Sequence, residues 1–443
     1  MIFEPYTLNG ITFKNRILRS SMGGRSARYD GTVTSVWKNF EKRFAEGGIG
    51  GMISTTLNVN RFRKSPLEYP PISEDKYVPA LKRAVSEIQS TGCRYLIQIG
   101  DPGSATQSGL FPEKEDSHSS STGLDLIYGY GGRHVSLNEE EIRLAIKDFG
   151  DAARRVRDTG ADGLEITASK GYLIHQFLNP GVNRRDDDWG GDHDRRFRFL
   201  GEVVKEVRSQ VGRDFLFGIR LAAEDYNYLP VNLRWPPVWP IKSFLMGNGI
   251  EQTLDIARRL KELGVDFLHI DSGYGFPHPR VTPGPFPFDE IRIFFDQVRH
   301  LSWKAGLRAR LVHAVPDSIG RRLFDIGWRY QEGINLDYAR TFREQVGIPV
   351  IANGGFQRKS FIDEALTSGS CDLVSVARAL LANPDLVRQF EAGRELPESP
   401  CTHCNRCAAR TATSPLGCYE TSRFPSVQAM QDEIMGWNRG DDD

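Results

Sequence analysis

Eight short apolar runs recur along this chain, and each hands over to a stretch with helical spacing. They cover residues 17–22, 51–55, 95–99, 163–167, 215–221, 267–271, 349–353 and 373–376. Strands alternating with helices favour a parallel sheet, since a crossover helix returns the chain to the edge where the next strand must start. Eight strands close such a sheet on itself. A doubly wound sheet is the competitor, but no glycine-rich GxGxxG turn follows the first run. The expectation is an α/β fold, a (β/α)8 TIM barrel. Three runs are introduced alike, by Gly160-Ala161-Asp162, Gly264-Val265-Asp266 and Gly369-Ser370-Cys371-Asp372. A glycine ending a helix just before a strand is a C-cap signal. Ser136 and Glu139 have capping-box spacing, ahead of a helix with Ile142, Ala145, Ile146, Phe149, Ala153 and Val156 on one face.

A length of 443 residues suggests about three domains, but one barrel with insertions absorbs most of it. The division expected is 1–395 for the barrel and 396–443 for a Cys-rich segment and polar tail, flexible from Tyr419 onward. Three stretches exceed the minimal βα unit: 100–135 after strand three, the Pro- and Trp-rich 227–248 after strand five, and 274–333 after strand six. The last should contain extra helices, for example over 291–301. All three follow a strand, where loops stack over the catalytic face of a barrel. Lys plus Arg equals Asp plus Glu at 57 each, which gives no electrostatic case for nucleic acid or an anionic membrane. The longest apolar runs are strand-sized, and no secretory signal opens the chain, so the expectation is a cytoplasmic protein without a membrane span.

The most informative stretch is 160–191, GADGLEITASKGYLIHQFLNPGVNRRDDDWGG. It reads as a strand that breaks at Gly171 into a loop dense in Asn, Arg and Asp. The segment resembles the hallmark of Old Yellow Enzyme-like flavoproteins through Gly171-Tyr172-Leu173, Gln176-Phe177-Leu178, Asn183-Arg184-Arg185, Asp188 and Gly190-Gly191. The resemblance extends to Cys418 and implies an FMN-binding barrel. Asn15 to Gly23 matches the family's first strand, which carries over Ser21, Met22 and Gly23 as flavin contacts; Gly23 stands where many relatives have Cys or Thr. Thr56 takes the place of a small residue near the flavin ring. Gln98 matches the amide that pairs with the pyrimidine edge, after which Asp101 to Ser104 depart from the pattern. Arg220 matches the arginine opposite flavin N1, and an inward Arg without a partner would be costly to desolvate. Gly354, Gly355, Ala377 and Arg378 match the FMN-phosphate positions at the ends of strands seven and eight.

In most relatives strand four carries a His and a His or Asn that clamp a carbonyl. Those positions here are Thr167 and Lys170. Lys170 either points inward, delivering charge to a carbonyl or carboxylate, or sits on the rim. Tyr172 matches the tyrosine that protonates the substrate's α carbon after hydride reaches the β carbon, a role suited to a phenol that water can re-protonate; the alternative is a core tyrosine. Relatives without the His pair resemble 2,4-dienoyl-CoA reductases, which use a His after strand six, and His278 is the counterpart. His175, His193 and His269 read as structural.

Cys93 and Cys371 sit singly and read as packing residues. Cys401, Cys404, Cys407 and Cys418 fall within eighteen residues, which in a reducing compartment indicates metal. In the longer branch of the family, of dienoyl-CoA reductase and trimethylamine dehydrogenase type, a similar CxxCxxxC…C holds a [4Fe–4S] cluster. The spacing here is CxxCxxC, one residue shorter, which leaves zinc as the alternative. That branch continues into FAD- and nucleotide-binding modules, which this chain lacks; electrons would come from NAD(P)H or from a partner protein. The leading function is reduction of a carbon–carbon double bond conjugated to a carbonyl or acyl group on a small molecule. The alternatives are dehydrogenation of an amine or N-methyl group, with the Trp-bearing excursion as a cage, and a flavin-binding electron-transfer subunit without turnover. A homo-oligomer is left open.

Overall fold

Each of the eight apolar runs is a strand: β1 (Ile17–Arg19), β2 (Gly51–Ile53), β3 (Arg94–Gly100), β4 (Gly163–Ala168), β5 (Leu216–Ala222), β6 (Phe267–Asp271), β7 (Val350–Ala352) and β8 (Leu373–Val376). They pair in parallel in chain order, and β8 returns to β1 with Val374 opposite Ile17. The structure, a computed structural model, is therefore the expected (β/α)8 barrel. It describes every residue except 26, 28–31, 63–68, 106–116, 125–132, 228–244, 276–277, 301–302, 326, 412 and 437–443.

Closure sorts the side chains. In a strand alternate residues face one side, so the interior receives every second residue from each strand. The lower layer is Leu18, Ile53, Leu96, Leu216, Phe267, Ile351 and Leu373, joined by Leu8 and Phe13 of an N-terminal hairpin. Each such side chain stabilises the fold by about 1.5–3 kcal/mol relative to exposure. A larger core lies between the strands and the outer helices, from Trp37 and Phe40 round to Leu386 and Phe390.

The three Gly-x-Asp introductions do more than end helices. Gly160, Gly264 and Gly369 have φ of +80°, +88° and +70°, the left-handed conformation a helix C-terminus requires. Each aspartate then reaches to the preceding strand. Asp162 accepts the Tyr95 N–H, Asp266 the Phe217 N–H, both at 2.8 Å, and Asp372 the Val350 N–H at 2.9 Å. Each also meets an arginine: Arg94, Arg208 or Arg343. The repeat staples β3 to β4, β5 to β6 and β7 to β8 at their N-terminal ends.

Some boundaries differ from expectation. The cap of the helix Glu139–Asp158 is Asn138, whose side chain accepts from Glu141 N–H at 2.9 Å while Glu141 accepts from Asn138 N–H at 2.8 Å. Ser136 instead bonds the Ser120 carbonyl. Stretch 274–333 holds three helices, Phe288–Val298, Trp303–Ala314 and Asp317–Phe324. The tail beyond Tyr419 includes the helix Val427–Gly436, whose Met430 and Ile434 join the main core. The Trp-rich part of the excursion after β5 lies outside the described residues. Among the described residues no helix is long and apolar enough to cross a membrane.

Asp266→Ala removes a charge-assisted bond to β5 and should lower stability by about 1.5–3 kcal/mol. Urea unfolding checks this; a midpoint equal to wild type would show that the staple contributes nothing.

Candidate active site

A cavity opens at the C-terminal ends of the strands, the face on which barrels of this kind carry their sites. Its walls bring together Ser21, Met22 and Gly23 after β1, Thr56 after β2, Gln98 on β3, and Thr167 at the end of β4. Lys170 and Tyr172 line it from the loop beyond β4, Arg220 from β5, and Ala377 and Arg378 after β8. Residues spread over 358 positions of sequence meet because closure places every strand end around one opening.

Lys170 points inward. The turn after β4 runs through two left-handed residues, Lys170 at φ +64° and Gly171 at φ +74°. A left-handed lysine costs about 1–2 kcal/mol, and its ammonium is held by an ion pair with the Asp271 carboxylate, 1 % exposed. Asp271 Oδ2 also accepts from Arg220 Nε at 2.8 Å and Ser169 Oγ at 3.4 Å. Its Oδ1 is buried with no hydrogen-bond partner among the described residues. Burial pushes the Lys170 pKa down to about 8, with Asp271 opposing and Arg220 reinforcing the shift. Burial also pushes Asp271 up, but Lys170 and Arg220 outweigh it and hold the carboxyl below its ordinary range. Asp271 was not anticipated as a site residue. The one signal was an acid ending an apolar strand next in order to the one that carries an inward arginine.

Tyr172 is held from both sides. His175 Nδ1 accepts the Gly171 N–H at 3.0 Å, and its Nε2 lies 2.8 Å from Asp225. Gln176 donates to the Gly171 carbonyl at 2.7 Å. The Tyr172 hydroxyl lies 3.0 Å from that of Tyr69, which no motif singles out. Burial raises the Tyr172 pKa, so the phenol keeps its proton at neutral pH.

The hallmark residues further along are a latch. Asn183 Nδ2 donates to the Phe177 and Trp189 carbonyls, and Arg185 to Ser120, Ser136 and Leu137 of the segment following β3. Gly23 has a local reason as well. A Cβ there would lie 2.3 Å from Cγ2 of Thr55, whose hydroxyl donates to Glu41 and the Met22 carbonyl.

Other expected residues stand apart from the cavity. His278 is buried, with Nε2 3.0 Å from the Tyr226 carbonyl and Nδ1 accepting from Arg280 N–H at 3.1 Å. Burial lowers its pKa to about 4, so it stays neutral. Gly354 gives its carbonyl to Gly333 N–H, and Gly355 gives its own to the Tyr330 hydroxyl. His269, read from sequence as structural, lies inside the barrel with Glu165 at 2.9 Å.

Of the four clustered cysteines, Cys407 lines the cavity. The thiols of Cys401, Cys404 and Cys407 are raised chiefly by burial, and Cys401 and Cys407 also feel the charge of other members of the set. Cys401 Sγ accepts from His403 N–H at 3.4 Å and Cys418 Sγ from Arg423 at 2.9 Å. Among the described residues, no three His, Cys, Asp or Glu side chains close around a single metal ion.

The model of the NADH:flavin oxidoreductase / NADH oxidase family matches residues 1–229 and 310–397. The chain belongs to this family. It is 28 % identical over 416 residues to the multifunctional alkene reductase/demethylase OYE of Caballeronia cordobensis, covering 93 % of this chain and 52 % of that protein. It is 26 % identical over 406 residues to the NADH oxidase of Thermoanaerobacter brockii, covering 91 % and 52 %. The chain thus spans about half the length of these relatives. Among solved structures, a 2-naphthoyl-CoA reductase in complex with 2-naphthoyl-CoA superposes with a TM-score of 0.75 at 21 % identity, over 94 % of this chain and 56 % of that one, a likeness of fold.

Gly23→Cys, which forces a side chain onto Thr55, should lower stability by about 1–3 kcal/mol through overpacking. Adding Thr55→Ser removes the clashing methyl, keeps the hydroxyl and should restore most of the loss. Thermal unfolding of the single and double variants checks the pair; an unaffected single variant would contradict it.

Proposed function

We propose that this chain binds FMN in the barrel mouth and reduces a carbon–carbon double bond conjugated to a carbonyl or acyl group. The observation that carries this reading is one cavity holding a protonated buried phenol, Tyr172, beside a buried cationic pair, Lys170 and Arg220, that share a single carboxylate.

The residues present suit the cofactor. Gln98 and Thr56 offer a polar edge, Arg220 a fixed cation, and Ala377 and Arg378 the phosphate end that the family resemblance assigns. Bound there, FMN would supply hydride to the substrate's β carbon. Tyr172 donates its hydroxyl proton to the α carbon and recovers one through Tyr69 at 3.0 Å. Lys170 holds the carbonyl oxygen and stabilises negative charge developing on it, a charge–dipole interaction strengthened where water is excluded. Thr167 adds a hydroxyl at the position of the family's first carbonyl ligand.

The cysteine set supports a [4Fe–4S] cluster over a single zinc. What supports it is the spacing of Cys401, Cys404, Cys407 and Cys418, which is similar to that of the family's longer branch, where four such thiolates hold a cluster. Cys407 on the cavity wall would bring it beside the flavin, which suits electron delivery by NAD(P)H or by a partner protein.

Anaerobic stopped-flow of the pre-reduced protein against enones, and of the oxidised protein against methylamines, tests the reading. Reoxidation by enones is expected; reduction by amines with silence toward enones would overturn it. Tyr172→Phe should slow enone turnover by about 10²–10⁴-fold while flavin reduction by NADH stays unchanged. The Lys170 ammonium is present below about pH 8 and lost above it, so kcat/KM should fall as pH rises through that value. Lys170→Met should abolish that limb of the pH profile; a wild-type-shaped profile in this variant would contradict the role. Anaerobically purified protein should carry about four irons and four acid-labile sulfides per chain, as a [4Fe–4S] centre requires, and Cys404→Ala should lose both; stoichiometric zinc would contradict the cluster.

A further inference from the structure

Below the cavity lies a chain of buried hydrogen bonds that neither the flavin nor the substrate role of the mouth accounts for. It runs through alternate inward positions of four strands and two loops. Ser272 Oγ donates to Asn335 Oδ1 at 2.6 Å, and Asn335 Nδ2 donates to Asn353 Oδ1 at 2.8 Å. With its oxygen so engaged, Asn353 turns its nitrogen to His269 Nε2 at 3.4 Å, which the Ser375 hydroxyl also approaches at 2.8 Å. The Nε2 of His269 is therefore an acceptor, and its single N–H sits on Nδ1. That N–H points at Glu165 Oε2, 2.9 Å away. The other carboxylate oxygen, Oε1, lies 2.5 Å from the Gln98 side-chain nitrogen. Glu165 and His269 are both fully buried.

With the His269 N–H on Oε2, Glu165 Oε1 takes a side-chain N–H of Gln98. Gln98 must therefore turn its NH₂ down to Glu165, which leaves its carbonyl oxygen on the upper side, where the Thr56 hydroxyl donates to it. With its proton committed to Gln98, Thr56 also presents an oxygen lone pair. Both residues line the cavity.

We infer that the Glu165–His269 pair is a positioning device that fixes the Gln98 amide carbonyl toward the cavity, so that this edge selects a bound ring presenting an N–H. On the flavin reading above, on which this inference rests, that group is the imide N3–H of the pyrimidine edge. Gln98 read from sequence alone offers both donors and acceptors; the buried carboxylate beneath it removes that freedom. Glu165 and His269 act through Gln98 and touch neither cofactor nor substrate.

The test compares binding of FMN and of its N3-methyl analogue to protein stripped of flavin, followed by quenching of flavin fluorescence. Wild type should prefer FMN by about 10–100-fold, the cost of leaving buried acceptors without a donor. Glu165→Leu, which takes away the acceptor for the Gln98 NH₂, should weaken FMN binding and collapse the preference by at least about tenfold. Glu165→Gln, whose oxygen can still accept from Gln98, should keep more of the preference than Glu165→Leu. Equal binding of the two flavins by wild type, or an undiminished preference in Glu165→Leu, overturns the inference while leaving the flavin reading intact. A wild-type chain that binds neither flavin removes the flavin reading and this inference with it. Should Glu165→Leu not fold, the wild-type preference alone decides.

Discussion

Closure of eight parallel strands is the constraint on which everything else here depends. A closed sheet admits only alternate residues to its interior and stacks them in layers set by register. The lower layer is wholly apolar and holds the barrel shut. Two residues further along each strand the composition changes: Leu96 gives way to Gln98, Phe267 to His269, Leu373 to Ser375. Two further still stand Arg220, Asp271 and Thr167. Moving upward, the interior passes from hydrocarbon, through hydrogen bonds gathered on Glu165, to the charged groups at the mouth. A polar layer so deep is tolerable because its groups satisfy one another.

The charge arrangement at the mouth gives the site its character. Asp271 neutralises one of two neighbouring cations, and both bonds fall on the same oxygen. Lys170 thus stays buried without being wholly quenched, near enough to neutral pH that its charge can be lost. In place of the family's usual pair of neutral hydrogen-bonding side chains, the chain offers one weak hydroxyl and one strong cation. On the proposed reading, that cation would meet a carbonyl or acyl oxygen gathering negative charge during reduction.

Much of this was legible in the sequence where the signal was local. The eight strands declared themselves by apolar runs of strand length, and the glycine caps by the residues that follow them. What the Asp of each Gly-x-Asp does was not legible, because its partner is a backbone N–H one strand away. The same holds for the site. Gln98, Arg220 and Tyr172 could be placed on the cavity wall by motif, whereas Asp271, Tyr69 and the Glu165–His269 pair act through contacts between 51 and 106 residues apart in the chain or on loops without a pattern. His278 shows the converse case. A histidine at the right distance from a strand end attracts a catalytic role, yet its two nitrogens are committed to Tyr226 and Arg280. The capping box slipped by two residues because Ser136, Asn138, Glu139 and Glu141 offer two overlapping pairs, and only the path of the backbone chooses between them.

All of this turns on flavin occupying the barrel mouth. The most direct measurement is the identity and amount of flavin released when the purified protein is denatured. One FMN per chain is the expected result. A protein that carries no flavin, and takes none up when FMN is supplied, would contradict the account.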